Sequence, residues 1–444
     1  MLPYIEPKVS ASVNDNGMPS KMDKRENEDM LVNNLVYRQP VDLSLAKSRT
    51  HTKQFFQRSD YTSAGGKTAI CDWNTGASYV NCSNSFLVFD LEVKSNTPIS
   101  YNYTFGSGSA MNVINRLNIR TKSGSEIDRI DYVPLWSRVD VEYGTDKDYK
   151  ESVMSLAGYA QTNAYASSNQ STTVKYRFAV PLERFAACFR PLKGQLMPPQ
   201  LASGLHIEMV FEDILNIVTF TSVEALPTTY DITNIHFLLD QVDLSDEAQK
   251  AISVESAETG LEWCTPRVYA VQTSLASGVS NTSVQIRKAV SQATRAYSVL
   301  QQTGQYNNKE LDSVRSMDFP ASVKFQYNLG SLYFPNQEVN DTIPYTPVSS
   351  FIEALYAFER TKDGHKETDV SLLDFSTTSN IFAMTCSRDD QLYLSGLNVN
   401  NSRALQFKGD FVWAAGDNDS HLLTSFLEYV QVVKVYNDQS VVSI

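Results

Sequence analysis

The histidines of this chain are the first residues to test for metal chemistry. A metal site on a β-strand needs two histidines one residue apart and a carboxylate shortly after, all on one face. No two histidines here lie within ten residues of each other. His206 and His236 fall on predicted strands and could be neighbours, but both face away from the apolar residues. We therefore expect exposed or hydrogen-bonded sheet histidines, and no metal ligands, among His51, His206, His236, His365 and His421.

The sequence has one candidate pattern for phosphate binding and none for a serine nucleophile. Gly65-Gly66-Lys67-Thr68 resembles the end of a phosphate-binding loop, but Tyr61 stands where the first glycine is needed. No apolar strand leads into this segment, and no helical pattern follows it. The chain also lacks the Gly-x-Ser-x-Gly elbow of a serine nucleophile. These patterns favour loop composition over catalysis.

Paired carboxylates are the remaining candidates for catalysis. Asp389-Asp390 and the pair Glu208 and Glu212 could in principle serve glycoside hydrolysis. Adjacent aspartates usually cap turns, however, and alternating glutamates on a strand usually face water. We therefore expect that the protein is not an enzyme and has no catalytic, cofactor-binding or metal-binding residues.

The charge balance argues against a phosphate-gripping surface. The chain has 38 Lys and Arg against 50 Asp and Glu, a net charge of −12. A protein that neutralises nucleic-acid phosphates needs a basic excess or a basic block, and this sequence has neither. We expect no direct sequence-specific nucleic-acid binding.

The remaining composition bears on compartment and membranes. None of the five cysteines forms a Cys-x-x-Cys pair. Free thiols are expected, although Cys71 and Cys82 share one loop-like region and could be close. The beginning of the chain lacks the pattern of a secretory signal, so we do not expect secretion. No apolar run approaches the roughly 18 residues that span a bilayer, and membrane contact is left open.

The stretch Leu196–Glu212 has a clear secondary-structure pattern, and it contains the candidate residues His206, Glu208 and Glu212. After Ser203-Gly204, the residues Leu205, Ile207, Met209 and Phe211 alternate with polar or mixed ones. A period of two with one apolar face predicts a half-buried antiparallel strand.

Two internal matches suggest a duplicated β domain. Ser203-Gly204-Leu205 recurs 192 residues later as Ser395-Gly396-Leu397. Ile130–Pro134 corresponds to Ile343–Pro347 at an offset of 213, and each proline opens a predicted short helix. About eight strands per copy predict an all-β fold of two tandem eight-stranded jelly rolls, a double jelly roll, with short helices in loops.

The same reading divides the chain. We expect an N-terminal arm at 1–50, a first jelly roll at 51–245, a linker at 246–260 and a second jelly roll at 261–444. Ser245 is a candidate cap for a short helix in the linker. The arm is either a disordered tail or a segment that orders against neighbouring subunits.

Three segments carry a resemblance to a known family. LMPPQLASGLHIEMVFE at Leu196–Glu212, SLYFPNQ at Ser331–Gln337 and LSGLNVNNSR at Leu394–Arg403 resemble the double-jelly-roll major capsid proteins of polinton-like viruses. Virophages and large eukaryotic DNA viruses carry more distant relatives. The regions that carry the resemblance, Leu196–Glu212 and Leu332–Asn401, cover about a fifth of the chain.

The resemblance implies a function and partners. A major capsid protein of this type forms pseudo-hexameric homotrimers that tile the icosahedral shell of a dsDNA virus. Its expected partners are itself, neighbouring trimers, and penton and other minor capsid proteins. Its expected location is the virion, assembled inside the host cell. The alternatives are a two-domain jelly-roll protein that binds or acts on carbohydrate, and a minor shell protein.

Overall fold

The structure is a computed structural model. It describes residues 45–99, 103–105, 109–159, 171–191, 194–220, 227–308, 312–314, 319–342, 347–358, 361–362, 365–366, 368, 370–387, 396–399, 404–414, 419–436 and 441–443. The elements described below belong to the compact unit that begins at Ala46.

The strands up to Leu244 form two four-stranded sheets and one separate pair. They are β1 Ala46–Phe55, β2 Thr68–Asp72, β3 Tyr79–Ile99, β4 Tyr103–Phe105, β5 Ile114–Arg120, β6 Glu126–Asp131, β7 Ser171–Pro181, β8 His206–Phe211, β9 Val218–Phe220 and β10 Pro227–Leu244. The sheet orders are β1-β10-β3-β7 and β2-β8-β5-β6, and β4 pairs with β9. We call this half roll 1.

The strands from Leu261 onward repeat this plan, and we call them roll 2. They are β11 Leu261–Leu275, β12 Asn281–Ile286, β13 Val290–Gln302, β14 Ser322–Leu329, β15 Leu332–Thr342, β16 Thr361–Lys362, β17 His365–Lys366, β18 Phe382–Thr385, β19 Leu397–Val399, β20 Leu405–Val412, β21 His421–Val435 and β22 Val441–Ser443. The sheet orders are β11-β21-β13-β18, with β19 and β22 at its margins, and β12-β20-β14-β15.

Both rolls have one strand order. When the eight strands of the paired sheets are counted along each roll, the orders are 1-8-3-6 and 2-7-4-5 in both. Neighbouring strands in these sheets are antiparallel. Two such sheets facing each other make a jelly roll, an arrangement that limits exposed sheet edges. The predicted pair of tandem jelly rolls is confirmed.

Short helices lie in the connections. They are α1 Val133–Gly144, α2 Lys147–Glu151, α3 Leu182–Phe185, α4 Pro199–Ala202, α5 Ile214–Ile217, α6 Asp246–Glu258, α7 Val348–Ala357 and α8 Leu372–Thr377. In each roll the longer connecting helix, α1 or α7, follows the fifth strand. The helices predicted at Pro134 and Pro347 are confirmed. Pro134 lies in the first turn of α1, and Pro347 directly precedes α7. Proline suits these positions because it has no N–H to leave without a partner.

Strand β8 shows how the alternating pattern builds the core. Ile207, Met209 and Phe211 are buried, whereas His206 and Glu208 are only partly covered. The apolar set therefore faces the space between the two sheets of roll 1, as the period of two predicts.

Several boundaries differ from the sequence-based expectations. Strand β1 begins at Ala46, inside the segment expected to be an arm. The stretch 62–85, expected to be a loop, contains β2 and the beginning of β3. Strand β2 has only two apolar residues, Ala69 and Ile70, beside the buried Cys71. So short a strand leaves little alternation of apolar and polar residues to detect in the sequence. Helix α6 occupies most of the expected linker, and the Ser245 hydroxyl accepts from the Ala248 N–H.

The Ser-Gly-Leu correspondence between the rolls is wrong. In roll 1 this turn leads into β8, the seventh sheet strand, but Leu397 begins β19, which pairs with β13. The seventh strand of roll 2 is β20. Alternating strands look alike over a few residues, so a three-residue match does not fix their place in a sheet. Ser395 and the segments 343–346, 391–394 and 400–403 lie outside the described residues.

Candidate functional site

The contact between roll 1 and roll 2 is the most elaborate polar region among the described residues. Its main contributor from roll 1 is helix α1, whose sequence VPLWSRVDVEYG places charged residues among large apolar ones. Leu135, Val139 and Tyr143 recur every four residues on one side of the helix, and all three are buried. Arg138 and Asp140 are buried as well, at 1% exposure each, because the helix is covered on several sides.

Arg138 joins the two rolls directly. Its Nη1 donates to the Val314 carbonyl oxygen at 2.6 Å, and its Nη2 donates to the Thr378 carbonyl and to the Ser379 hydroxyl. On its own helix, its Nε donates to Glu142 at 3.0 Å. A buried guanidinium is tolerated only when its donors find acceptors, and here the acceptors come from roll 2.

Tyr143 continues this contact with an aromatic cluster. Its hydroxyl donates to the Ser379 carbonyl, and its ring centroid lies 5.3 Å from that of Phe358. Phe358 in turn lies 5.2 Å from Tyr297, and the Arg295 guanidinium lies 4.2 Å from the Phe358 ring centre. Arg295 is held by Glu428 on the neighbouring strand, at 2.6 Å. Aromatic pairs and a cation over a ring add to the stability that apolar burial already provides.

Asp128 on β6 lies close enough to Arg267 on β11 of roll 2 for their charges to interact. Burial raises the pKa of the Asp128 carboxyl to about 6, although the positive charge of Arg267 opposes that rise. The Asp128 Oδ2 accepts the Cys188 N–H at 3.1 Å. Because an ionised carboxylate is costly in such a site, this contact is sensitive to pH.

A second charged cluster fixes α1 to its own roll. The Asp140 carboxylate accepts from Arg184 at 2.8 Å and from two nitrogens of Arg190 at 2.6 and 2.5 Å. Burial alone would raise the pKa of Asp140, but the two guanidinium groups hold it well below its usual value. Arg190 also lies over the Trp136 ring, with its guanidinium carbon 5.3 Å from the ring centre. The cluster holds the helix that presents Arg138.

His206 and His236 each have a hydrogen-bond partner within the fold. His206 belongs to the sheet of β8, and its Nδ1 lies 2.6 Å from Asp72. His236 belongs to the other sheet of roll 1, and its Nδ1 lies 2.7 Å from the Asn234 carbonyl. The two are therefore not strand neighbours, contrary to one expectation. In the described part of the chain, no three His, Cys, Asp or Glu residues are grouped as metal ligands would be.

Lys67 and Glu212, candidates for phosphate binding and for catalysis, make hydrogen bonds within the fold. Lys67 bonds the Thr62 carbonyl, and the strand β2, not a helix, follows at Thr68, so the setting of a phosphate-binding loop is missing. Gly65 and Gly66 line an open groove of about 760 Å³ together with Glu212 and Asp213. Glu212 receives hydrogen bonds from Asn115 and Asn216. Asp389 and Asp390 lie outside the described residues.

The remaining findings concern thiols and membranes. None of the cysteines Cys71, Cys82, Cys188, Cys264 and Cys386, all within the described residues, forms a disulfide bond. Burial raises the pKa of the Cys71 thiol to about 12, which leaves it protonated and unreactive at neutral pH. Among the described residues, none of the helices has the length and apolar character to cross a bilayer.

Sequence reasoning did not identify Arg138, Asp140 or Asp128 as interface residues. The signal in the sequence was the presence of charged residues within an otherwise apolar helix. They stand at positions that would face solvent if one side of the helix were exposed. That pattern shows that the helix is covered on more than one side. It does not show what covers it.

Comparisons with known proteins give matches to solved structures and none to sequences. No family model matches the chain, and no curated protein matches it in sequence. Solved structures do match. The Faustovirus major capsid protein aligns with a TM-score of 0.63 at 9% identity, over 95% of this chain and 95% of that one. The PBCV-1 virus capsid aligns with 0.61 at 10% identity, over 92% and 98%.

A third solved structure matches the full length of this chain. The mavirus major capsid protein aligns with a TM-score of 0.55 at 10% identity, over 100% of this chain and 96% of that one. Each alignment extends across both rolls rather than one of them. With the strand orders given above, these matches show that the chain has the double-jelly-roll fold found in viral major capsid proteins.

Proposed function

We propose that this protein is a major capsid protein, a structural protein and not an enzyme. Three copies form a pseudo-hexameric homotrimer, and such trimers tile the icosahedral shell of a dsDNA virus. The observation that carries the proposal is the shared strand order of rolls 1 and 2 within one chain. Two similar lobes per chain let three chains present six similar lobes, and closed cyclic symmetry is the rule for soluble homo-oligomers.

The contact between the rolls supports this role. A capsid subunit that imitates two positions of a hexagon needs a fixed spacing between its lobes. Arg138 and Tyr143 hold roll 1 against Val314 and Ser379 of roll 2, through groups that are buried. Breaking such contacts leaves buried polar groups without partners, so the two lobes resist relative motion.

The domain division, partners and location belong to the same proposal. The arm at 1–50, the rolls at 51–245 and 261–444, and the linker at 246–260 are its working boundaries. Neighbouring trimers, penton and minor capsid proteins are its partners, and the virion, assembled inside the host cell, is its location. The net charge of −12 fits a shell protein that does not itself grip the genome. The capsid reading is preferred to a carbohydrate protein because the structural matches reported above are capsid proteins.

The test is the mass of the purified full chain in solution. Native mass spectrometry and light scattering over a hundred-fold concentration range should show three chains, about three times 49.7 kDa. A particle that remains a monomer across that range would overturn the proposal. The same is true of a dimer with two-fold symmetry, because a two-fold dimer does not make six lobes.

A further inference from the structure

The contact inside the chain uses one set of elements from each roll. Roll 1 contributes its fifth strand, β6, and the helix that follows it, α1. Roll 2 contributes its first strand, β11, which lies against β6, and the segments around Val314 and Ser379 that receive Arg138. The contact is therefore head to tail, because the two rolls present different surfaces to each other.

Strand β15 and helix α7, which correspond in roll 2 to β6 and α1, have solvent-exposed surfaces. Strand β15 is mostly exposed, with Leu332 and Tyr333 at 50% and 46%. Along α7, which packs against β15, Val348 and Ile352 are 45% and 40% exposed, one helical turn apart. We call these four residues the helix surface. Helix α1, its counterpart in roll 1, buries the equivalent face.

The matching strand on the far side of roll 1 is open as well. Strand β1 is exposed along most of its length, whereas its counterpart β11 is largely covered and buries Trp263 and Arg267. The positions of β1 that point outward alternate with the partly covered Thr52 and Gln54. These outward positions, which we call the strand surface, are Lys47, Arg49, His51, Lys53 and Phe55.

The two open surfaces differ in charge. On the strand surface Arg49 pairs with Asp240 at 2.5 Å and Lys47 lies 4.0 Å from Asp246. Among the described residues no acidic side chain pairs with Lys53, which lies near the aromatic end of this surface at Phe55. Strand β15 and helix α7 carry Glu338, which is exposed, and Glu353, which is half-buried. Within the described part of the chain, no ion pair joins either glutamate to a cation. Glu353 stands five residues after the start of α7, the place that Arg138 holds in α1.

We propose that the helix surface of one copy binds the strand surface of a second copy, repeating between chains the contact that α1 and β6 make within the chain. This inference rests on the proposed function and names the contact that would close its ring. A head-to-tail contact that repeats around one axis forms a ring when its rotation closes, and the ring of six rolls that we propose contains three chains. The apolar residues of the helix surface against Phe55 provide affinity, and Glu338 and Glu353 opposite Lys53 provide orientation.

The first test uses matched substitutions in full-length chains. Ile352→Asp places a charge in the helix surface, and Val254→Asp makes the same change at a 57% exposed position on helix α6. We expect Ile352→Asp to weaken association at least about tenfold, which a cost of about 1.4 kcal/mol produces, while Val254→Asp assembles as the unmodified chain does. Unfolding curves for both variants identify any loss of folding.

The outcomes separate the two proposals. If the unmodified chain forms trimers and Ile352→Asp does so equally well, the helix surface is not the contact, although the capsid proposal stands. Equal loss of association in both variants would also overturn the assignment to the helix surface. If the unmodified chain is a monomer, the proposed function fails before this question arises.

The second test identifies the occupant. Unlabelled and ¹⁵N-labelled chains are mixed, unfolded and refolded together, then treated with a zero-length carbodiimide that joins lysines to carboxylates. We expect mixed-isotope links from Lys47 or Lys53 to Glu338 or Glu353. Links from Glu353 to lysines in the segment 1–44 instead would show that this segment covers the helix surface, and would overturn the proposal. The absence of mixed-isotope links would do the same.

Discussion

Arg138 lies in the first jelly roll, yet its Nη1 donates a 2.6 Å hydrogen bond to the Val314 carbonyl oxygen of the second. The two residues are separated by 176 positions in sequence. One side chain thus depends on both halves of the chain being folded and in place. This relationship makes the contact between the rolls accessible to mutation.

Replacing Arg138 should weaken the whole unit. Arg138→Met keeps the length and apolar stem but leaves Glu142 and the Val314 and Thr378 carbonyls without their donor. Breaking a buried charged contact in this way costs roughly 3–5 kcal/mol. Urea unfolding followed by fluorescence measures the effect as a lower midpoint.

The matched control is Arg129→Met. Arg129 is about half exposed and pairs with Asp131 at the surface. Exposed pairs contribute roughly 0–1 kcal/mol, so its midpoint should stay near that of the unmodified chain. Equal midpoints for the two variants would contradict the role given to Arg138.

Asp128 should make stability depend on pH between about 4 and 6. Its carboxyl has a pKa of about 6 when folded, raised by burial above the ordinary 3.8. The folded protein therefore holds its proton more tightly, and stability is lost as pH rises from about 4 to 6. Above that window the ionised group costs about 3 kcal/mol.

Asp128→Asn removes this titration. At each pH, the unfolding free energy of the unmodified chain is subtracted from that of the variant. This difference should be about 3 kcal/mol lower at pH 4 than at pH 7. Glu126→Gln, an exposed change on the same strand, should show a difference within about 0.5 kcal/mol at both pH values. A difference for Asp128→Asn that does not vary with pH would refute the buried, raised-pKa assignment.

Asp140 should be among the most costly carboxylates to remove. Asp140→Ala leaves the buried guanidiniums of Arg184 and Arg190 without their common acceptor. The expected loss is roughly 3–5 kcal/mol. Asp146→Ala removes only the cap of helix α2, where the Asp146 carboxylate accepts from the Tyr149 N–H, and should cost about 1 kcal/mol. Thermal unfolding of both variants at pH 7 decides whether this order holds.

Gly204 and Gly396 should respond differently to asparagine. Gly204 has a φ of +88°, a region that asparagine tolerates better than alanine, so Gly204→Asn should be milder than Gly204→Ala. At Gly396 a Cβ would lie 2.4 Å from the Ala293 carbonyl oxygen, so both substitutions should cost about 1–3 kcal/mol. Unfolding midpoints of the four variants compare them. If asparagine were milder at Gly396 as well, crowding would not explain that glycine.

The sequence was sufficient for the elements with a clear period. Ile207, Met209 and Phe211 alternate as a strand should, and Pro134 and Pro347 each mark a helix after the fifth strand. These signals are local, because burial on one face requires apolar residues at regular intervals. They were enough to indicate two tandem jelly rolls.

The sequence did not reveal how the rolls meet. Arg138 finds its acceptors on residues far along the chain, and no local pattern encodes that pairing. The Ser-Gly-Leu match failed for the same reason. Gly204 serves a left-handed turn before β8, and Gly396 permits close approach to β13. One tripeptide thus serves two places in the sheets for unrelated physical reasons.

The most direct test of the central claim is electron microscopy of the purified full-length chain. The account predicts particles with a six-cornered outline in which three chains supply six lobes, each lobe matching one jelly roll. Two-lobed single chains, or a closed particle whose lobes do not number six, would contradict it.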